Sequence, residues 1–220
     1  GANSQIAQDN ANFYWDDTNN RLGLGTSTPA QRLTINGGNI FQYSTGTISK
    51  ISSSSANYAN GLSVSGKILA VSDNNSGAGN AHVDFYDISD RANMSLLSTY
   101  ASVQTSDYME EVFIASNFAY TAASSGMHII DISNPKAPVL AGFYATPSTT
   151  KSIYVSGKYA YLGVSKGTGV GGLYVIDISS STNPVLTGNV AVNTGGNYIF
   201  DIVVRGKYAY LAADGDGLKI

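Results

Sequence analysis

Apolar and polar residues alternate along most of the chain in short runs, which is the period-two pattern of β-strands. The runs are rich in Val, Ile and Tyr and are separated by Gly, Asn, Ser or Pro, so helices are excluded as the main element. Four runs begin in nearly the same way, and they read LSVSGK (62–67), VFIASN (112–117), IYVSGK (153–158) and IVVRGK (202–207). Each continues into a second apolar run after a small or turn-forming pair of residues, which predicts four β-hairpins.

A third run ending in Asp-Ile-Ser follows each of the first three hairpins, and a fourth run completes each unit. The aspartates of the third run, Asp87, Asp131 and Asp177, are 44 and 46 residues apart. Four short antiparallel strands in roughly 40–50 residues is the period of a propeller blade. An immunoglobulin-like sandwich is not expected to repeat its turn sequences every fourth strand. The sequence therefore predicts an all-β protein, a β-propeller of four-stranded antiparallel blades with three complete repeats plus half of a fourth.

The repeats also set the predicted domain boundaries. We predict a small N-terminal β module at 1–40, a Ser/Thr-rich linker or edge strand at 41–57, and a partial β-propeller at 58–220. Within the module, NNRLGLGT predicts a turn leading into a strand, and RLTI predicts a second strand. The repeats of the propeller span about 58–102, 103–146, 147–192 and, truncated, 193–220.

The last repeat does not complete a blade, and rings of typically four to eight blades are needed to close a propeller. We therefore expect that the polypeptide continues past Ile220 or that another chain supplies what is missing. The polar start GANSQIAQDN has neither an initiator Met nor the apolar core of a signal peptide. It is typical of a processed or excised piece of a longer protein.

The segment SGKYAYLG…GGLYVIDISSSTNPVL, within 153–186, resembles the LVIVD-type repeat of bacterial and archaeal surface β-propellers. Units of that family carry a G-x-Y-A-Y hairpin and an L-x-V-x-D-x-S-x-P segment. The match is good over 112–144, partial over 202–220 and weakest over 62–100, where KILAV and DRANM replace the usual residues. The resemblance implies a propeller in an extracellular setting, and proteins with this repeat are mostly of undefined activity.

A second resemblance lies upstream, in FYWDDTNNRLGLGTSTPAQRLTINGG (13–38). It is similar to a G-I-G-T-x-x-P segment of phage tail-fibre proteins and large bacterial surface proteins, where it often sits in oligomeric stalks. Leu24 stands where that segment has Ile. Both resemblances imply an extracellular or cell-surface location.

Composition narrows the classes of partner. Only 12% of residues are charged and the net charge is -3, so no basic field attracts nucleic acid. Cysteine is absent, which excludes disulfides and thiolate chemistry. No apolar run approaches the roughly 18 residues of a membrane span. We therefore predict no nucleic-acid partner and no membrane span in this segment.

Residues that recur once per repeat are predicted to build the blade, since a catalytic residue is needed once per site. The three aspartates of the third run are expected to accept backbone N–H bonds in the turn that follows them. A tyrosine of the second run recurs in the same way and is expected to pack between blades. These tyrosines are Tyr120, Tyr161 and Tyr210.

His128 is one of two histidines and suggests a general base. Its position in the third run is occupied in the other repeats by Asp84, Tyr174 and Lys219. Such variation predicts a solvent-facing position on a strand with one buried face. A nucleophilic triad therefore has little support, and His82, at a loop edge, is assigned no role.

The loops between the second and third runs differ sharply in length, whereas the hairpin turns are nearly constant. Function is expected on the variable face, since binding residues concentrate on loops held by a rigid scaffold. The candidate binding residues there are three tyrosines at equivalent linker positions and the carboxylates that follow them. They are Tyr58, Tyr108, Tyr198, Glu110, Glu111 and Asp201. Packing around the central channel is the alternative role for this patch.

Clusters of Asp, Asn and Gly offer the oxygen ligands that Ca²⁺ prefers, but none completes a twelve-residue calcium loop with its closing Glu. Ordinary turns are the favoured interpretation, and we predict no cofactor and no metal, with Ca²⁺ as the alternative. The candidate ligands are Asp16, Asp73, Asp214 and Asp216.

These observations favour a non-enzymatic extracellular surface or fibre protein whose propeller is a display or assembly scaffold, as in a filament subunit or an adhesin. Its expected partners are proteins, further copies of itself, or carbohydrate. A polysaccharide-active enzyme is the first alternative, with Glu110, Glu111 or Asp201 as acid and base. A phage receptor-binding fibre is the second.

Overall fold

The computed structural model divides the chain into two compact units, residues 1–49 and 50–220. The residues that the structure describes are 13–24, 26–28, 30, 33–35, 52–53, 58–74, 81–102, 107–167, 171–192 and 198–220. Most of the predicted linker at 41–57 and part of the stalk-like segment at 13–38 lie outside them. No helix formed by the described residues is long and apolar enough to cross a membrane.

The first unit contains a three-stranded sheet of β1 (Phe13–Asp16), β2 (Arg21–Leu24) and β3 (Leu33–Ile35). β1 and β2 are antiparallel, and β3 pairs with β2 in parallel. The tight turn after β1 forms because Asp16 Oδ1 accepts the N–H groups of Thr18 and Asn19, each at 3.1 Å. The strands expected from RLGL and RLTI are both present.

The second unit contains three complete blades and a three-stranded fourth, each antiparallel with its strands in sequential order. The first blade consists of β4 (Ala59–Ser65), β5 (Ile68–Asp73), β6 (His82–Asp87) and β7 (Ser95–Ala101). The second consists of β8 (Met109–Ala115), β9 (Phe118–Ala123), β10 (Gly126–Asp131) and β11 (Val139–Ala145). The third consists of β12 (Thr150–Ser156), β13 (Tyr159–Val164), β14 (Gly172–Asp177) and β15 (Val185–Ala191).

The fourth blade consists of β16 (Asp201–Arg205), β17 (Tyr208–Ala212) and β18 (Leu218–Lys219), with a 3₁₀ turn at Asp214–Asp216. The predicted fold class, an all-β propeller of four-stranded antiparallel blades with a small N-terminal β module, is confirmed. The repeated sequence therefore encodes a repeated unit of structure.

The first hairpin of every blade closes with two residues, the first of which has positive φ. Gly66, Gly157 and Gly206 each adopt φ 59°, and Ser116 adopts φ 53° in the second blade. Glycine is favoured there because it has no Cβ to clash in the left-handed region. This end of the blades is consequently uniform.

The hydrophobic core is built between neighbouring blades. Phe85 of the first blade and Ile130 of the second share one buried cluster, and Met127 shares the next cluster with Leu162 of the third blade. A third cluster joins Leu173 to residues of the fourth blade. Each blade is therefore stabilised by its neighbours more than by a core of its own.

The third strand of the second blade is buried on both faces. Met127 and Ile129 belong to the cluster shared with the third blade, whereas Ile130 belongs to the cluster shared with the first. His128 lies on the same face as Ile130 and is completely buried. The prediction that His128 faces solvent is therefore wrong. A strand between two stacked blades has two covered faces, so residue variation at one of them does not indicate exposure.

Candidate functional site

The innermost strand of each complete blade contains a β-bulge at the same place. The pairing register shifts by one residue at the start of β4, β8 and β12, which leaves Asn60, Glu110 and Lys151 as the extra residues. Phe200 occupies the corresponding position directly before β16. A bulge redirects the side chain of its extra residue, and bulges are frequent next to binding sites.

The three bulge residues and Phe200 line one cavity of about 410 Å³, together with Gly61, Asn74 and Glu111. We call this cavity, lined by these seven residues, the mouth pocket. It lies at the end of the blades where the chain passes from one blade to the next, since each bulge is at the start of an innermost strand. This is also the end that carries the second-to-third strand loops.

An ion pair crosses the mouth pocket from one blade to the next. Lys151 Nζ lies 2.6 Å from Glu110 Oε1, and Asn60 Nδ2 lies 3.4 Å from Glu110 Oε2. Three successive blades therefore contribute an amide, a carboxylate and an ammonium group. The combination supplies hydrogen-bond donors and acceptors to a polar ligand.

Glu111 has an unusual environment for a carboxyl group. Its Oε2 accepts the N–H of Ile153 at 2.7 Å. Burial raises the pKa of Glu111 to about 7, and the charge of Asp201 adds to the increase. The hydrogen bond from Ile153 opposes this increase. Glu111 is therefore about half protonated near neutral pH.

The aromatic residues at this end fall into two groups. The ring of Tyr198 lies 5.6 Å from the ring of Phe200, and Lys151 Nζ lies 5.3 Å from the centroid of Tyr198. Tyr58 and Tyr108 are exposed and do not line the mouth pocket. The structure thus combines Glu110 and Glu111 in one cavity and places these two tyrosines outside it.

The repeated aspartates lie at the ends of β6, β10 and β14. In each, Oδ1 accepts the N–H of the serine two residues later at 2.8 Å, and these serines are Ser89, Ser133 and Ser179. The pKa values of Asp87 and Asp177 are lowered mainly by the serine hydroxyl, and that of Asp131 is lowered mainly by the backbone N–H. Each carboxylate closes a turn of its blade.

The repeated tyrosines occupy the middle of the second strand. Tyr120 is buried in the cluster between the second and third blades, and Tyr161 packs against the cluster between the third and fourth. Tyr210, at the same position in the fourth blade, is 37% exposed. Tyr120 and Tyr161 are less exposed than Tyr210 because the next blade covers each of them.

A buried polar network surrounds Asp107, in the link between the first two blades. Its carboxylate accepts five hydrogen bonds of 2.7–3.0 Å, from the backbone N–H of Ser125 and from the side chains of Ser102, Ser124, Ser125 and His128. Burial opposes ionisation of Asp107, but bonds from His128, Ser124 and Ser125 hold the pKa of Asp107 well below its usual range. The group is therefore a carboxylate at neutral pH.

The acceptor atoms of the network determine which of its other atoms carry protons. Burial, with the charge of Asp107, raises the pKa of Tyr100 to about 12, so this hydroxyl keeps its proton and donates to His128 Nδ1 at 3.2 Å. His128 Nε2 then carries a proton and donates to Asp107. Ser125 donates its own proton to Asp107, so His128 has no free nitrogen to activate it. In a catalytic triad the Asp and Ser contact opposite nitrogens, and this arrangement does not perform that chemistry.

The candidate calcium ligands are in three different environments. Asp16 accepts bonds in the turn after β1, and Asp214 and Asp216 belong to the 3₁₀ turn before β18. Asp73 lies near His82 and Asp84, with one ligand atom of each within 4.8 Å of the others. This last group combines an imidazole with two carboxylates, and sequence spacing alone did not indicate it.

Asn60, Lys151 and Phe200 were absent from the sequence-based site. They lie at the position equivalent to Glu110, and alignment of the repeats places all four in one column. The aligned column alone does not indicate that these residues share a site, because the side chains of a regular strand would alternate differently. The bulge supplies the missing structural reason.

The LVIVD repeat model matches residues 108–146, 147–192 and 196–220, which together make up half of the chain. No curated protein is similar in sequence to this chain at a significant level. The matched segments correspond to the second, third and fourth blades.

Solved structures resemble the chain in fold. The computationally designed Ika4 protein has a TM-score of 0.55 at 14% identity, covering 73% of this chain and 88% of that one. A protein from Lactobacillus plantarum has a TM-score of 0.56 at 17% identity, covering 70% and 48%. Kuenenia stuttgartiensis hydrazine synthase has a TM-score of 0.55 at 14% identity, covering 72% and 56%. The chain thus spans about half the length of the last two, and at these identities the likeness concerns the fold alone.

Proposed function

The chain belongs to the LVIVD-repeat family, and on that premise we propose that it is the propeller part of an extracellular surface or fibre protein, where it binds carbohydrate and supports assembly. The main support is the mouth pocket, in which one repeated position at the start of each blade, a bulge in the three complete blades, carries four different side chains. A scaffold that repeats while its side chains differ is typical of recognition rather than of structure alone. The resemblance of residues 13–38 to stalk segments, which stays a prediction from the sequence, is further support for a surface or fibre protein.

The loops at the same end support recognition. Eight residues separate β5 from β6, two separate β9 from β10, and seven separate β13 from β14. The first hairpins at the opposite end all have two residues. Diversity is therefore concentrated at the end that holds the mouth pocket.

Carbohydrate is the ligand class that fits the lining best. Sugar hydroxyls pair with carboxylates, amides and ammonium groups, and sugar C–H faces pack against aromatic rings. Glu110, Asn60 and Lys151 supply the polar groups, and the exposed ring of Phe200 supplies the apolar surface. An adhesin-type role follows from this pairing.

Replacing Lys151 by Ala is expected to weaken carbohydrate binding at least tenfold, because the substitution removes a donor and leaves Glu110 without its ion pair. The measurement is a glycan array, followed by titration calorimetry with the best ligand. Lys158→Ala is the matched control, since Lys158 lies in a hairpin at the opposite end and pairs with exposed Asp177. Equal binding by both variants would contradict the assignment of the pocket.

The enzyme alternative is favoured by one observation, the pKa of about 7 at Glu111 beside the charge of Asp201. A carboxyl group whose pKa is raised toward neutrality is suited to an acid or base role. The same glycans are therefore assayed for hydrolysis. Turnover that is lost in Glu110→Gln or Glu111→Gln would replace the scaffold proposal by a polysaccharide-active enzyme.

Assembly is supported by two complementary faces. Leu62 and Val64 of β4 are 71% and 56% exposed. Their equivalents in β8, Val112 and Ile114, are buried against the first blade. At the other end of the unit, Tyr210 is exposed, whereas the equivalent residues Tyr120 and Tyr161 pack against the blade that follows theirs. A blade of the same type therefore fits each face.

The 220-residue chain is expected to associate with itself in a concentration-dependent way, and Leu62→Ser with Val64→Thr is expected to reduce this at least tenfold. Burial of these side chains is the driving force. Light scattering coupled to size exclusion measures the effect, with Val139→Thr, at an exposed position of β11, as the control. A stable trimer that persists in the double variant would favour the phage-fibre alternative instead.

A further inference from the structure

Three side chains able to bind metal share one face of the first blade. Asp73 is the last residue of β5 and pairs directly with His82, the first residue of β6. Asp84 lies two residues further along β6. Side chains alternate along a strand and directly paired residues point to the same face, so all three side chains converge.

The distances fit a shared cation. His82 Nε2 lies 3.9 Å from Asp73 Oδ2 and 3.7 Å from Asp84 Oδ1. Ligands of a tetrahedral Zn²⁺ at about 2.0–2.2 Å are roughly 3.4 Å apart. Small rotations of the side chains would therefore bring the three atoms to coordination distance.

Both carboxylates are removed from water and one is held in position. Asp73 is 2% exposed and Asp84 is 7% exposed. Thr99 donates to Asp84 Oδ1 at 2.6 Å, and Tyr86 donates to Asp84 Oδ2 at 3.1 Å. Hydrogen bonds of this kind orient the carboxylates that bind metals. Two buried carboxylates facing one imidazole also favour a cation between them.

The other blades provide an internal control. The positions of Asp73, His82 and Asp84 are occupied by Ala123, Gly126 and His128 in the second blade, and by Val164, Gly172 and Tyr174 in the third. The blade therefore does not require ligand-type residues at any of the three places. Their coincidence in one blade indicates a purpose specific to it.

The position of His82 is the clearest departure from the repeat. A Cβ added to Gly126 would lie 2.1 Å from the backbone oxygen of Tyr144, and one added to Gly172 would lie 2.0 Å from that of Val190. Both glycines also have positive φ, 143° and 159°. The first blade places an imidazole where its neighbours exclude any side chain.

We propose that Asp73, His82 and Asp84 form a binding site for a divalent transition metal of the Zn²⁺ type. One imidazole and two carboxylates suit Zn²⁺, and three protein ligands leave a fourth position open to water or a ligand. Ca²⁺ takes six to eight oxygen ligands, so a nitrogen-containing set of three favours the transition metal. From the sequence, Asp73 was only an alternative Ca²⁺ ligand, and this proposal assigns it to a different class of ion.

The site has a structural consequence of its own. A metal there would join the end of β5 to the start of β6, where the first blade has its longest loop. The adjacent Asn74 lines the mouth pocket, so the ion would also hold that edge of the pocket in place.

The test uses the 220-residue chain after treatment with EDTA, titrated with ZnCl₂ by calorimetry and with CoCl₂ by visible absorption. We expect one Zn²⁺ per chain and a rise in melting temperature on binding. With Co²⁺ we expect the visible absorption bands of an ion with a low coordination number. His82→Ala and Asp84→Asn are expected to weaken Zn²⁺ binding at least tenfold. Asp90→Asn, an exposed position of the same blade, is the control and is expected to bind normally.

Three results would overturn the proposal: no binding at one Zn²⁺ per chain, equal binding by the His82 variant and wild type, or tighter binding of Ca²⁺ than of Zn²⁺. If His82→Ala does not fold, His82→Gln keeps a side chain of similar size and serves in its place. The readout is binding alone, so failure of the carbohydrate proposal would not affect it.

Discussion

Replacing Asp107 by Asn is expected to lower the free energy of unfolding at pH 7 by about 3–5 kcal/mol, because several buried donors lose the hydrogen bonds that they make to a charged acceptor. The carboxylate accepts bonds from three hydroxyls, one backbone N–H and one imidazole. An amide in its place puts a second set of donors against those donors. Chemical unfolding by urea, followed by tyrosine fluorescence, measures the loss.

Asp131→Asn is the matched control in the same blade, because asparagine also accepts the N–H of Ser133 in that turn. Its expected cost is much smaller than that of Asp107→Asn, as for substitutions of exposed groups. If Asp107→Asn does not fold, Tyr100→Phe removes a single bond at about 1 kcal/mol and tests the same network. A loss at Asp107 no larger than that at Asp131 would show that the network contributes little.

Acid should reproduce the effect in the unaltered chain. The pKa of Asp107 is lowered in the folded state, so its stabilisation is fully present above the unfolded pKa near 4 and is lost as the pH falls below it. Asp107→Asn is accordingly expected to show a flatter stability profile below pH 4.

Replacing Glu111 by Gln is expected to raise stability at pH 8 by up to about 3 kcal/mol. Burial raises the pKa of Glu111 from 4.5 to about 7. The folded state therefore holds a proton that the unfolded state has released between these values. Stability falls by about 1.4 kcal/mol per pH unit across that window and is constant above it. Glutamine resembles the protonated form and removes the loss.

The measurement is urea unfolding between pH 4 and 8 of the wild type, Glu111→Gln and the control Glu110→Gln. Only the Glu111 variant should lose the decline between pH 4.5 and 7. An unchanged decline in that variant would place its cause elsewhere. Since Asp107 acts below this window, the two titrations are separable in one data set.

The architecture of the blades was predictable because it depends on local, repeated signals. Alternating apolar runs, two-residue turns with Gly66 or its equivalents, and the aspartate that begins each Asp-Ile-Ser turn are all short-range features. They recur with each blade, so each copy strengthens the interpretation of the others. Loop variation led us to place Glu110 and Glu111 at one end of the blades, and both line the mouth pocket; their role in binding stays a prediction.

His128 shows what repetition does not reveal. The residue type at its position differs from repeat to repeat, which implied exposure to solvent. Stacking of the blades nevertheless buries both faces of the strand. The residue at this position therefore contacts different partners in different blades. Asp107, the partner of His128, lies 21 residues away in the linker between the first two blades. No local signal joins two such residues.

The sequence by itself determined the fold class, the period of the blades and the turns that close them, because these depend on residues close together in the chain. Only the tertiary structure decided which side chains act together. The mouth pocket collects three bulge residues and Phe200 from four successive blades, and Asp73, His82 and Asp84 meet across a strand pair whose register the alternation alone did not specify. Both arrangements depend on contacts between distant segments, and such contacts exist only once the sheets are paired and stacked.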